Sequence, residues 1–234
     1  MHENSTAFWK KAEEKPEKEI KAEVTATPVL LMVRFTGKTA HGSTPELGVN
    51  AMKIAFETIG EFYKLEELKK IAAAMSDVNG KAFGGYNHSK ELGDTTYNFG
   101  IVKYDGKTLK VTLDFRYGEE AKPEEHVEAL KKATGFEAVQ KGESKMLIFD
   151  KKSPLVTTLM KAYHWGMKDF FAKPLAIGGG TYAKECPNTI AFGAESKKHP
   201  GNMHSPDEYI YVEDFIKDIA IYARAIYVLG TLKK

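Results

Sequence analysis

The sequence predicts an α/β chain built in two parts. The first is a ferredoxin-like unit with the order β-α-β-β-α-β. The second is richer in helix. Three observations carry this. Runs rich in β-formers, Val29-Leu-Leu-Met-Val-Arg-Phe and Thr108 to Tyr117 among them, are separated by segments with apolar residues at helical spacing. An Asp105-Gly106 pair joins two such runs and marks a hairpin. Pro123 and Gly135 bracket a segment with acids first and lysines last, as the helix dipole favours.

Taken in order, residues 1–27 are Lys/Glu-rich and read as a solvated linker or exposed hairpin arm. The run from Val29 is the first strand of a unit spanning residues 28–150, and Gly37 ends it. A turn-rich stretch, HGSTPELG, leads to a helix carried by Ala51, Ile54, Ala55, Thr58 and Ile59, up to about Tyr63. Leu65 to Met75 predicts a second helical piece within the same crossover. After a glycine-rich loop, Thr95 to Tyr104 and Thr108 to Tyr117 form the two arms of the hairpin. The helix PEEHVEALKKAT follows, and Phe136-Glu-Ala-Val is expected to be the last strand. In residues 151–234 the expected elements are a helix from Pro154, short strands at Leu175–Ile177 and Thr189–Phe192, and a long helix through Val212, Phe215, Ile219 and Ile226. Two helices and two short strands are thin for an independent α/β domain, whose central sheet wants more strands.

Composition removes several classes of function. The 34 basic and 32 acidic residues leave a net charge of +2, which implies no nucleic-acid partner. One cysteine among 234 residues excludes an internal disulfide framework and a Cys-rich zinc module, and fits a cytoplasmic setting. No apolar run is long enough to span a bilayer, and the start lacks the apolar stretch of a signal peptide.

Four segments hold residues suited to chemistry. In Gly37-Lys-Thr-Ala-His41-Gly-Ser-Thr-Pro-Glu-Leu-Gly48-Val-Asn50-Ala51, a histidine follows a strand and Asn50 stands where a helix cap is needed; a plain capped turn reads equally from the residues. Arg116, in Asp114-Phe-Arg-Tyr117, sits at a strand end where a guanidinium can fork onto a carboxylate or pair with a neighbouring acid. Gly178-Gly179-Gly180-Thr181 either brings backbone N–H groups close to a ligand or makes a sharp bend. It lacks the lysine spacing of a phosphate-binding loop. In His199-Pro-Gly-Asn-Met-His204-Ser-Pro-Asp207, a neutral imidazole in a Pro-rich loop suits zinc, while a bystander histidine reads as well from the residues for His204 and more strongly for His199. His88, His126, His164 and Cys186 read as structural.

In combination and in this order, the four segments resemble the zinc-dependent family of aminoacylases, carboxypeptidases and carnosinases, nearest to its bacterial dipeptidase V (Xaa-His dipeptidase) type. GKTAHGSTPELGVNA is similar to the signature of that family's lid domain, and FRYG to its lid-strand arginine motif. IGGGTYAK and MHSPDEYI are similar to two loops of its catalytic domain. The resemblance implies a ferredoxin-like lid at 28–150 and the C-terminal part of a zinc-bearing α/β catalytic domain at 151–234. It implies that His41 stabilises the oxyanion and that Arg116 grips the substrate's terminal carboxylate. It further implies that Gly179, Gly180 and Thr181 contact the substrate and that His204 binds zinc. The family's His-x-Asp, bridging Asp and Glu-Glu pair have no counterpart ahead of the lid signature here. One histidine does not fill the four positions zinc requires. The expectation is therefore a peptidase-family chain, incomplete alone, that acts on dipeptides with a partner carrying the other metal ligands or as a homo-oligomer. The alternative is a non-catalytic module for carboxylate binding or dimerisation.

Overall fold

The computed structural model describes residues 21–26, 31–144, 146–193, 199 and 207–232. By its internal contacts the chain divides into two units, Met1–Gly142 and Glu143–Lys234.

The first unit begins with β1 (Lys21–Ala26) antiparallel to β2 (Leu31–Thr36), with Val24 opposite Val33. The chain then turns into α1 (Ala51–Tyr63) and α2 (Glu66–Ala74). Asn50 caps α1, its Oδ1 accepting the Met52 N–H at 3.0 Å. At the other end Lys64 adopts the left-handed conformation and its N–H returns to Gly60 O. A two-residue pairing, β3 (His88–Ser89) with β4 (Gly93–Asp94), precedes the main hairpin, β5 (Thr96–Tyr104) and β6 (Leu109–Arg116). At its turn Asp105 Oδ1 accepts the N–H groups of Lys107 and Thr108 at 3.0 and 2.8 Å. Helix α3 (Pro123–Thr134) then ends at Gly135, which is left-handed at φ 74°.

Strand alternation sorts the hairpin into two faces. Tyr97 and Phe99 of β5, with Val111, Leu113 and Phe115 of β6, face a core shared with Phe56, Ile71, Ala72, Met75 and Phe83. Ala129, Leu130 and Phe136 close it from the side of α3. Tyr97 and His126 hydrogen-bond inside this core, and the Tyr97 hydroxyl donates to Gly85 O at 2.7 Å. Burial holds the Tyr97 phenol well above its ordinary range. His126 is structural, as expected, among the rings of Phe115 and Tyr117.

The expected strand at Phe136–Val139 does not form. Phe136 packs on the core, but its backbone has no ladder partner, and Val139 is 75% exposed. Strand pairing among the described residues consists of three two-stranded antiparallel sheets.

The second unit rests on two helices, α4 (Pro154–Met167) and α5 (Val212–Gly230). Ser153 caps α4, its Oγ accepting the Val156 N–H at 3.3 Å. Leu159, Ala162 and Ala225 form the buried contact, joined by Leu155, Ile190, Phe192 and Leu229. Gly166 lets the two helices approach closely, since a Cβ there would stand 2.1 Å from Ile221 Cγ1. The strands expected at Leu175–Ile177 and Thr189–Phe192 are not formed. Ile190 and Phe192 contribute side chains to the helix pair, and among the described residues no strand pairs with their backbone. Along α5, Phe215, Ile216, Ile219, Ile226 and Tyr227 stay exposed.

Candidate functional site

The His41 loop is shaped by a pair of backbone bonds at its neck. Lys38 and Val49 exchange N–H···O bonds at 3.0 and 2.9 Å, so residues 39–48 project as a closed loop. Asn50, just beyond the neck, has two tasks. Its Oδ1 caps α1, and its Nδ2 donates to Phe99 O at 2.8 Å. That second bond ties the loop to β5 at the point where the β5–β6 register shifts.

Within the loop, the His41 ring is oriented by Ser43. The Ser43 N–H donates to His41 Nδ1 at 3.3 Å, and Ser43 Oγ lies 2.7 Å from the same nitrogen. With Nδ1 accepting, the neutral ring carries its proton on Nε2. His41 is exposed, as a group that meets a ligand must be.

The polar face of the hairpin lies next to this loop. Asn98 pairs with Asp114 and Thr96 with Arg116 across the two strands. Arg116 donates to Asp114 Oδ2 through Nη2 at 2.6 Å and Nε at 3.2 Å. Gly42 sits directly on this pair: a Cβ there would lie 2.9 Å from Asp114 Oδ2, 3.2 Å from Arg116 Nη2 and 3.6 Å from Asn98 Nδ2. Glycine lets the backbone beside His41 approach this closely without displacing the Asp114 carboxylate. The structure thus brings two of the expected site residues, His41 and Arg116, to one corner of the first unit. The ion pair that was the plainer reading of Arg116 is formed, partly exposed to solvent.

Sequence reasoning missed Asn98. Its signal was the two-residue alternation that sets Asn98 beside Asp114 and Arg116 once the hairpin register is known.

Gly179, Gly180 and Thr181 lie in the second unit. Thr181 Oγ1 accepts the Ala183 N–H at 3.3 Å and starts a short 3-10 turn, Tyr182–Glu185. Neither glycine has positive φ. Their would-be Cβ atoms reach nothing closer than Ile177 Cδ1 at 3.6 Å and Lys184 Nζ at 3.9 Å. Packing among the described residues therefore does not demand glycine at either position. His204 lies outside the described residues.

A second cluster involves the histidine read as a bystander. His199 Nδ1 lies 2.7 Å from Asp214 Oδ2, and its Nε2 lies 3.4 Å from Glu213 Oε1. The ring stacks on Tyr211 at 4.2 Å. The hydrogen bond from His199, helped by one from Lys217, holds the Asp214 carboxyl below its ordinary range. These three are the described His and acidic side chains whose donor atoms converge closely enough for a metal ion.

The fold and this geometry define an α/β protein with an exposed histidine loop packed on a strand arginine. Residues 30–141 match the M20 peptidase dimerisation domain. Three relatives are similar over most of the chain, all bearing the name "Putative dipeptidase". The protein from Staphylococcus epidermidis is 31% identical over 90% of this chain and 47% of its own length. SH1171 from Staphylococcus haemolyticus is 32% identical over 85% of this chain and 44% of its own length. YtjP from Bacillus subtilis is 30% identical over 86% of this chain and 44% of its own length. The chain belongs to the M20 peptidase family and is dipeptidase-like in sequence. It spans about half the length of the curated relatives it matches. No helix among the described residues is long and apolar enough to cross a membrane.

Proposed function

We propose that this chain supplies the lid and the C-terminal substrate loops of a zinc-dependent dipeptidase of cytoplasmic location. The lid is residues 28–150, related to the ferredoxin-like order but without its last strand, preceded by an arm at 1–27; the C-terminal portion is 151–234. One observation carries the reading: Gly42 seats the His41 loop on the Asp114–Arg116 pair. A dipeptide offers a terminal carboxylate and a peptide carbonyl a few bonds apart, and these two groups are what Arg116 and His41 suit.

The residues divide the work. Arg116 binds the carboxylate, its guanidinium already oriented by Asp114 Oδ2 at 2.6 Å. His41 donates from Nε2 to the carbonyl oxygen as negative charge develops on it, with Ser43 holding the tautomer. Gly179 and Gly180 offer backbone N–H groups to the substrate, and Thr181 steadies that loop through its bond to Ala183. The zinc expected from the family would supply an activated water. In this chain His204 is the one residue carried over as its ligand, and one imidazole does not satisfy four-coordinate zinc. The residue carried over therefore does not by itself complete the family's zinc site. Hydrolysis needs the remaining ligands and a general base from residues outside this sequence.

The test is reconstitution. Mixing the chain with a fragment bearing the family's His-x-Asp and Glu-Glu residues is expected to yield zinc-dependent dipeptide hydrolysis. Arg116→Lys is expected to raise KM roughly tenfold or more, because a lysine does not reproduce the fork. No hydrolysis at any mixing ratio would sink the proposal.

A second reading draws on the match of residues 30–141 to a dimerisation domain. In it the chain is a non-catalytic module that self-associates and holds a small carboxylate at Arg116. Calorimetry with dipeptides separates the two readings. Binding lost in Arg116→Ala, with no activity on reconstitution, favours the module.

A further inference from the structure

His199, Glu213 and Asp214 lie outside the proposed peptidase site, and their geometry poses an electrostatic problem. The short 2.7 Å contact places the proton of His199 on Nδ1, donated to Asp214 Oδ2. The lone pair of the neutral ring is then on Nε2, and Nε2 faces Glu213 Oε1 at 3.4 Å. In the neutral ring these are two acceptors, which repel at that separation unless a proton or a metal cation lies between them. The distance also matches a metal site. Ligands held about 2.0–2.1 Å from a tetrahedral ion stand roughly 3.3–3.4 Å apart.

We propose that His199 Nε2 and the Glu213 carboxylate form the protein ligands of a zinc-class divalent cation site, with Asp214 as the positioning residue. The surroundings suit these roles. Asp214 is buried at the start of α5, where it fixes the tautomer and ring plane of His199, as carboxylates do behind metal-bound imidazoles. Tyr211 stacks on the same ring with an interplanar angle of 22°, which removes its remaining rotation. Lys217 takes the other Asp214 oxygen, Oδ1, at 3.2 Å and so leaves Oδ2 to His199. Glu213 is more than half exposed, which leaves room for water in the other coordination positions. An imidazole and a carboxylate are donors that zinc, cobalt(II) and nickel(II) share. The inference uses neither His204 nor the peptidase reading and stands if both fail.

Zinc chloride titrated by calorimetry into the metal-stripped full chain tests it, with cobalt(II) absorption as a second readout. A His204→Ala background removes any contribution from that residue. One zinc equivalent is expected to bind in that background and to be lost on adding His199→Gln or Glu213→Gln. Asp214→Asn is expected to weaken binding about 10–100-fold. Glu213 is largely exposed, so its variant leaves the fold intact, which the far-UV spectrum checks. No zinc uptake in the His204→Ala background would overturn the proposal and leave a proton as the bridge between His199 and Glu213. So would uptake indifferent to both His199→Gln and Glu213→Gln.

Discussion

The two units bury apolar surface in different ways. In the first, helices α1, α2 and α3 close over one face of the β5–β6 hairpin, and Tyr97 and Phe99 are almost fully covered. Helix α1 is capped at both ends, by Asn50 and Lys64, and α3 ends at the left-handed Gly135. In the second unit, one helix pair buries Leu159, Ala162, Ile221 and Ala225, while Ile219 and Ile226 on α5 remain 56% and 73% exposed. Among the described residues, the apolar stripe of α5 is wider than the face covered by α4, Ile190 and Phe192. An exposed stripe of that kind marks an interaction surface or an association liability. The lesson is that the first unit closes a core of its own, whereas the second has apolar surface to spare.

Substitutions can break or sharpen that contrast. The largest effect is expected from Phe99→Ala, which opens the closed core and should cost about 3–5 kcal/mol in urea unfolding. A loss below about 1 kcal/mol would show that the core is not closed. Next comes Gly166→Ala. Alanine normally favours helix, yet here the added methyl meets Ile221, and about 1–3 kcal/mol should be lost by overpacking. A gain in stability would mean that α4 and α5 do not pack closely. Asn50→Ala removes both a cap and the bond to Phe99 O, and about 1–2 kcal/mol is expected.

On α5, the paired change Ile219→Lys and Ile226→Lys should move stability by no more than about 0.5 kcal/mol, since both residues are exposed. Association measured by light scattering should fall. A large loss of stability instead would show that the stripe is buried in solution. The smallest effect concerns Asp105. Backbone N–H groups of Thr108 and Lys107 hold its carboxyl below the ordinary range. A depressed pKa contributes stability that is present above the ordinary carboxylate value and lost as pH falls through the lowered one. The Thr108 and Lys107 amide resonances should report that loss in acid, and Asp105→Asn should abolish the titration.

Much of this was legible in the residues. The α1 boundaries followed from helical spacing and the Asn50 cap, the hairpin from Asp105-Gly106, and α3 from Pro123 and Gly135. The misses share a cause. Phe136–Val139, Leu175–Ile177 and Thr189–Phe192 have strand-like composition, but a strand exists only where a second backbone lies alongside to exchange hydrogen bonds. Composition does not contain that partner. At the site, His41 and Arg116 were legible as residue types, and Asn98 was not, because its role depends on register with Asp114.

By itself, then, the sequence determined the helices, the caps of α1 and α3, the main hairpin and the residue types at the candidate site. Periodicity, capping and turn chemistry act within a few residues, and each is written in consecutive positions. Only the tertiary structure decided that Gly42 rests on Asp114 and Arg116, that Asn50 reaches Phe99, and that His199 meets Glu213 and Asp214. Those contacts join residues up to some seventy positions apart. They exist because packing returns distant segments to one another, and no local pattern specifies that return.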